Sequence, residues 1–202
     1  MAEYLKAYQQ GIQKHGTDFE VTLWASPRTQ QLRFDIFAQM YPLHGKVILD
    51  AGCSRGDLAS WMLEHGIHYS QYIGIDALVP VIDYARTRKL PRAEFHAGDF
   101  VTDTRLLATG NPDVICISGS LNTMSDEQAL TVLQAARDAS QEALLFNFLS
   151  DRAGPAAPLQ DRIARRLNTL ALLDWAFDMT PDVTFRQDYF PHGHDATIRM
   201  KR

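Results

Sequence analysis

The sequence predicts an α/β fold: a seven-stranded sheet of five parallel strands plus a C-terminal antiparallel hairpin pair, with helices on both faces. Three observations carry this expectation. Short apolar runs bounded by turn residues alternate with longer segments of helical period, the order that builds β-α-β units. The strongest run, KVILDA at 46–51, is β-branched and passes directly into a glycine turn, as a strand buried on both faces does. After residue 149 the alternation stops, and two short runs flank Tyr-Phe-Pro-His-Gly-His, a loop of hairpin length.

Taken in order, residues 4–14 and 30–41 read as helices joined by a Trp24-Ala25-Ser26-Pro27 turn, and residues 1–45 as a helical cover ahead of a core at 46–202 within one domain of 1–202. After the first strand, 57–65 is a helix with Leu58, Trp61 and Met62 on its apolar face and Gly66 at its end. Residues 72–76 form the second strand, followed by a turn with Pro80 and a helix at 81–89. The third strand, 93–96, ends at Gly98-Asp99-Phe100; the fourth is 112–118, followed by a helix at 126–140 with Ser125 as its N-cap. A fifth strand at 143–149 precedes a helix at 169–178 capped by Asn168, and strands at 183–188 and 196–200 close the pattern. Residues 151–167, rich in Pro, Ala and Gly and then in Arg, read as a second cover over the carboxyl edge of the sheet.

The chain has 202 residues, 46% of them apolar and 22% charged, a globular composition that excludes a disordered, collagenous or coiled-coil chain. Twenty Lys and Arg against twenty-four Asp and Glu leave a net charge of −4, which speaks against a broad basic footprint for nucleic acid or an anionic membrane. The N-terminus carries Tyr, Lys and Gln through the positions of a signal core and no apolar run of membrane-spanning length follows, so a cytoplasmic location is expected. Cys53 and Cys116 stand apart from any metal-ligand spacing and are expected to be buried thiols, with no metal site.

In an open parallel sheet the ligand crevice lies at the carboxyl ends of the strands, where the strand order reverses. The first turn, Asp50-Ala51-Gly52-Cys53-Ser54-Arg55-Gly56-Asp57, admits three readings. A dinucleotide fingerprint needs small residues at 52, 54 and 57, and a carboxylate at Asp57 would repel a pyrophosphate at the helix N-terminus. Gly52-x-Ser54-x-Gly56 also satisfies the nucleophile elbow of a serine hydrolase, with His192 or His194 late in the chain, but the turn follows the first strand and no oxyanion loop precedes it. The third reading accounts for more residues. Asp50-x-Gly52-x-Ser54-x-Gly56, with Asp76 ending the second strand and Asp99 the third, resembles the Rossmann-like, class I S-adenosylmethionine-dependent methyltransferases, with Ser54 where the family's glycine motif has its middle glycine.

That resemblance implies S-adenosyl-L-methionine as cofactor. Asp50, Gly52, Cys53, Ser54 and Gly56 would line its methionine part, while Asp76, followed by Ala77, would accept from both ribose hydroxyls. It implies further that Asp99 accepts from the adenine amino group beside Phe100, that Ser118 and Gly119 face the amino group or sulfonium, and that Arg33 and Trp24 stand near the cofactor's carboxylate. A strand-end Asp is also a common turn former, Arg33 a common solvated helix charge and Trp24 a common core plug. Phe146-Asn147-Phe148-Leu149-Ser150, Ser118-Gly119-Ser120-Leu121-Asn122 and Arg186-Gln187-Asp188-Tyr189 look like a group of small bacterial methyltransferases.

The fourth strand is not followed by the Asp/Asn-Pro-Pro-aromatic signature of nucleobase amino-methylation, and Cys116 lies inside that strand. A small-molecule acceptor, or a protein one, is therefore expected. Arg152, Arg162, Arg165 and Arg166 form a dense basic group, and helical spacing would put the last three on one face, either solvated or binding an anionic acceptor. His192, His194, Asn147 and Tyr189 are the polar groups expected near the mouth should the acceptor lose a proton. The rival function is a module that binds the cofactor without transferring its methyl group.

Overall fold

The computed structural model describes residues 2–159 and 164–202. Its strands are β1 (Val47–Ala51), β2 (Gln71–Asp76), β3 (Ala93–Ala97), β4 (Val114–Ser118), β5 (Ala143–Leu149), β6 (Val183–Arg186) and β7 (Asp195–Lys201). The helices are α1 (Lys6–His15), α2 (Pro27–Met40), α3 (Asp57–Glu64), α4 (Val79–Thr87), α5 (Asp126–Ala139) and α6 (Thr169–Met179). The strands lie in the order β3-β2-β1-β4-β5-β7-β6. The first five pair in parallel, and β7 runs antiparallel to both β5 and β6. The hairpin thus enters the sheet with its second strand inside and its first at the edge.

The core follows from the two-residue period of each strand. Ile48, Tyr72, Val114 and Leu145 pack against Phe34, Phe37, Trp61, Met62 and Ile82 of α2, α3 and α4. Their neighbours Leu49, Ile73, Ile115 and Phe146 pack against Val132, Leu133 and Leu172 of α5 and α6. Helices therefore cover both faces. The chain order turns back between β1 and β4, which opens a crevice at their carboxyl ends.

Four sequence expectations need correction. Helix α2 starts at Pro27, three residues early, because Ser26 and Thr29 form a reciprocal capping box and proline is at ease in a first helical turn. For the same reason Pro80 lies inside the first turn of α4 and not in a turn before it. The stretch 164–166 is not helical: Leu167 bridges Ser150, and Arg165 and Arg166 are pulled to backbone carbonyls on either side. Arg162 lies outside the described residues. The β6 strand also stops at Arg186, since the Gln187 side chain is drawn off to the carbonyls of Arg152 and Gly193.

Candidate functional site

The turn after β1 is shaped by backbone conformations that suit glycine. Gly52 has φ +84°, and a Cβ there would stand 1.9 Å from Ser120 Oγ. Gly56 has φ +73° and starts α3, with the Phe95 ring 2.8 Å from where a Cβ would be. Ser54 lies between them at φ +46°, a left-handed conformation held by a hydrogen bond from its N–H to Asp76 Oδ2 at 2.9 Å. The middle residue of the motif therefore occupies a glycine-like conformation while carrying a side chain.

Three strand-end carboxylates face this turn, each with a different environment. Asp50 is 3% exposed and accepts from the buried Tyr72 hydroxyl; burial pushes its carboxyl up to about 7. Asp76 accepts from Leu78 N–H on Oδ1 and Ser54 N–H on Oδ2, both at 2.9 Å, and burial outweighs these bonds to push it up to about 6. Asp99 accepts from Val101 N–H at 3.0 Å and from the Tyr4 hydroxyl at 2.6 Å. Asp76 and Asp99 are turn formers, and each carboxylate oxygen still has a lone pair for a further donor.

On the other side, β4 ends in Ser118 and Gly119. The fully buried Asn147 of β5 accepts from Gly119 N–H at 2.8 Å and donates to Ser118 Oγ at 3.1 Å, fixing this loop. Gly119 has φ +80°, and the Trp24 ring lies 2.4 Å from where a Cβ would be, so only glycine admits the indole. Arg33 stacks on Trp24 at 4.0 Å and on Phe190 at 4.7 Å. Its Nη1 donates to Thr29 O at 2.6 Å, while Nε and Nη2 grip the buried Asp195. Arg33 is thus neither solvated nor free, being the buried half of an ion pair that also receives the Tyr189 hydroxyl at 3.0 Å.

These groups enclose one cavity of about 320 Å³ at the carboxyl ends of β1, β2 and β4. Trp24, Arg33, Asp50, Gly52, Cys53, Ser54, Asp76, Ala77, Asp99, Phe100, Ser118 and Gly119 line it. Gly56 does not; it serves the helix start. His192, His194, Asn147 and Tyr189 do not line it either, and Asn147 acts from behind as the clamp of the β4 loop. Among the described residues of the 151–167 cover, Ala164 reaches the wall. Cys53 and Cys116 are buried thiols as expected.

Sequence reasoning missed Tyr4 and Tyr8, which reach the cavity from the N-terminal segment, and Met124 and Leu149. The four-residue spacing of the tyrosines, which puts them on one helical face, was the available signal. It also took Arg152, Arg165 and Arg166 as a patch. Arg165 is bound to Met124 O and Asp126, Arg166 to Ser150 O and Pro158 O, and Arg152 is exposed. A denser basic run, Arg86, Arg88, Lys89 and Arg92, lies on α4 and after it, where Arg88 pairs with Asp57 at 2.7 Å and offsets its charge. Among the described residues no cluster of metal-ligating side chains occurs, and no helix is long and apolar enough to cross a membrane.

Residues 48–142 match a family model described as a methyltransferase domain. No curated protein matches the chain. An O-methyltransferase family protein from Burkholderia thailandensis superposes with a TM-score of 0.72 at 19% identity, over 99% of this chain and 66% of that one. Magnesium protoporphyrin IX methyltransferase (ChlM) from Synechocystis PCC 6803, solved with bound SAM, gives 0.68 at 13% identity over 100% and 98%. A SAM-dependent methyltransferase from Archaeoglobus fulgidus gives 0.69 at 14% over 91% and 98%. At these identities the likeness is one of fold, the Rossmann-like sheet expected from the sequence.

Proposed function

We propose that this chain, which carries a methyltransferase domain over residues 48–142, transfers a methyl group from S-adenosyl-L-methionine to a small-molecule acceptor. One observation carries the reading: the glycine turn and the carboxylates of Asp50, Asp76 and Asp99 converge on a single cavity at the point where strand order reverses. The donor set fits the cofactor. Asp76 and Asp99 retain acceptor capacity for a ribose diol and an adenine amine, and the buried Asp50 offers an acceptor to a ligand ammonium. The absence of a Cβ at Gly52 and Gly119 keeps the backbone and the Trp24 ring close to the same space.

When bound, the cofactor supplies an electrophilic methyl group on a sulfonium, taken by in-line displacement. The protein's part is orientation and exclusion of water. The β4 loop, clamped by Asn147, and the Trp24 ring, held by Arg33 and Asp195, give the cavity a fixed wall. No His lines the cavity among the described residues, so a histidine base has no part in the proposal. Among the described residues the cavity wall carries the carboxylates of Asp50, Asp57, Asp76 and Asp99 and the guanidinium of Arg33, which Asp195 already neutralises.

The two rival readings fare less well. A serine hydrolase needs a base beside Ser54, and neither His192 nor His194 reaches the cavity. A silent binding module is separated from an enzyme by incubation with isotope-labelled cofactor and a metabolite extract. The proposal expects a small molecule that gains one labelled methyl group; a protein that binds the cofactor yet labels nothing in metabolite or protein fractions would refute transfer. S-adenosylhomocysteine should raise the melting temperature, by about 2.7 kcal/mol of added stability at a hundredfold excess over its dissociation constant, and NAD should not.

A further inference from the structure

The segment 2–23 meets the body through a small apolar cluster of its own. Helix α1 packs chiefly on the 3-10 turn Phe19–Thr22 that follows it, so the two make a small hairpin of their own. That hairpin rests on the body through a satellite cluster in which Tyr8 and Ile12 pack on Val21, Leu78 and Val81, apart from the two clusters that flank the sheet. It ends at Leu23, a non-glycine residue at φ +59° that is 39% exposed, just ahead of the capped start of α2. Few apolar contacts and a strained junction are the physical marks of a unit that opens at low cost.

What this hairpin places in the cavity is chemically specific. Tyr4 donates its hydroxyl to Asp99 Oδ2 at 2.6 Å, across 95 residues of sequence. One turn on, Tyr8 lines the same cavity as Thr123 and Asp76, and after burial the Asp76 charge helps to raise its phenol. Burial holds both phenols far above their ordinary titration range, so both remain neutral donors throughout the physiological span. The two carboxylates assigned above to the nucleoside are thus the two that the hairpin covers.

We propose that Tyr4 and Tyr8 are binding residues for the nucleoside half of S-adenosylmethionine, and that residues 2–23 form a lid latched over it by the hydrogen bond from Tyr4 to Asp99. The inference rests on the cofactor reading of the preceding section. A ligand held under a latched lid leaves slowly, because release must wait for the lid to lift.

The test is titration of the full chain with S-adenosylhomocysteine, together with stopped-flow release and amide hydrogen exchange. Tyr4→Phe keeps the ring and loses the latch; it should weaken binding about tenfold, the scale of one hydrogen bond to a charged group, mainly through faster release. Tyr8→Ala should weaken it at least as much. Exchange of residues 6–15 should slow when ligand is added to wild type and less so in Tyr4→Phe. Wild-type protein that fails to bind S-adenosylhomocysteine sinks the cofactor reading and the lid with it. Wild type that binds, with both variants within twofold, overturns the lid alone. Tighter binding by Tyr4→Phe also overturns it, since the phenol would then be competing with the ligand for Asp99.

Discussion

Replacing Asp50 with Asn isolates the cost of holding a carboxylate inside the sheet. Asp50 is 3% exposed, has one phenolic donor in Tyr72, and has its carboxyl raised by burial from 3.8 to about 7, with Asp76 and Asp57 adding to the rise. In the unfolded chain the same group ionises near 3.8. Between these values the folded state holds a proton that the unfolded state has lost, so stability falls as pH rises through this window and levels off above about 7. At 1.36 kcal/mol per unit, the loss between pH 5 and the plateau is about 2–3 kcal/mol. Asp50→Asn keeps an acceptor for Tyr72 and does not titrate.

Urea unfolding of both proteins at intervals from pH 5 to 8.5 should therefore show the variant's advantage growing by about 2–3 kcal/mol, nearly all of it below about pH 7. Groups elsewhere whose carboxyls are lowered by ion pairs, such as Glu142 beside Lys46 and Asp182 beside Arg199, affect both proteins alike and cancel in the difference. A difference that stays flat across this range would show Asp50 ionised in the folded protein. The account of its burial would then be wrong.

Asp76→Ala should weaken S-adenosylhomocysteine binding by about 2–4 kcal/mol by calorimetry, and it should also destabilise the ligand-free protein by about 1–3 kcal/mol, because Ser54 N–H and Leu78 N–H lose their acceptors. Unchanged titration would leave Asp76 a turn residue only. Ser54→Gly should keep cofactor binding within about 1 kcal/mol and raise the urea midpoint slightly, since glycine is relaxed at φ +46°; covalent labelling of Ser54 by a fluorophosphonate would instead revive the hydrolase. Arg33→Ala should cost about 3–5 kcal/mol of stability by leaving Asp195 buried without its partner, and Arg33→Met with Asp195→Leu should recover most of it. If the single and double variants unfold at the same midpoint, the pair is not the strut described here.

The parts of the site that local chemistry determines were legible. A β-branched strand running into Asp-x-Gly-x-Ser-x-Gly, with further strands ending in Asp76 and Asp99, reports its own geometry because the turn conformations and the acceptor positions belong to consecutive residues. Ser125 and Asn168 announced their helices by the same local logic. Partners far apart in sequence were not legible. Arg33 carries no mark of Asp195, 162 residues on, and nothing in Asn147 says that it will clamp the β4 loop. Pro27 and Pro80 misled because proline both breaks a helix and begins one. The sheet order, with β7 slipped between β5 and β6, is a property of the assembled layers and of no single segment.

That insertion of β7 has a consequence for the chain as it is made. Residues 143–149, ALLFNFL, are buried between β4 and β7 in the finished sheet, but β7 emerges from the ribosome some fifty residues later. Until it arrives, β5 is a long, uncharged, apolar edge, the kind of segment that pairs with copies of itself. Arg33 is meanwhile without its carboxylate. Docking of Asp195–Lys201 closes the edge and neutralises the guanidinium in one event, so a nascent chain stalled before β7 should be a substrate for chaperones and a seed for aggregation.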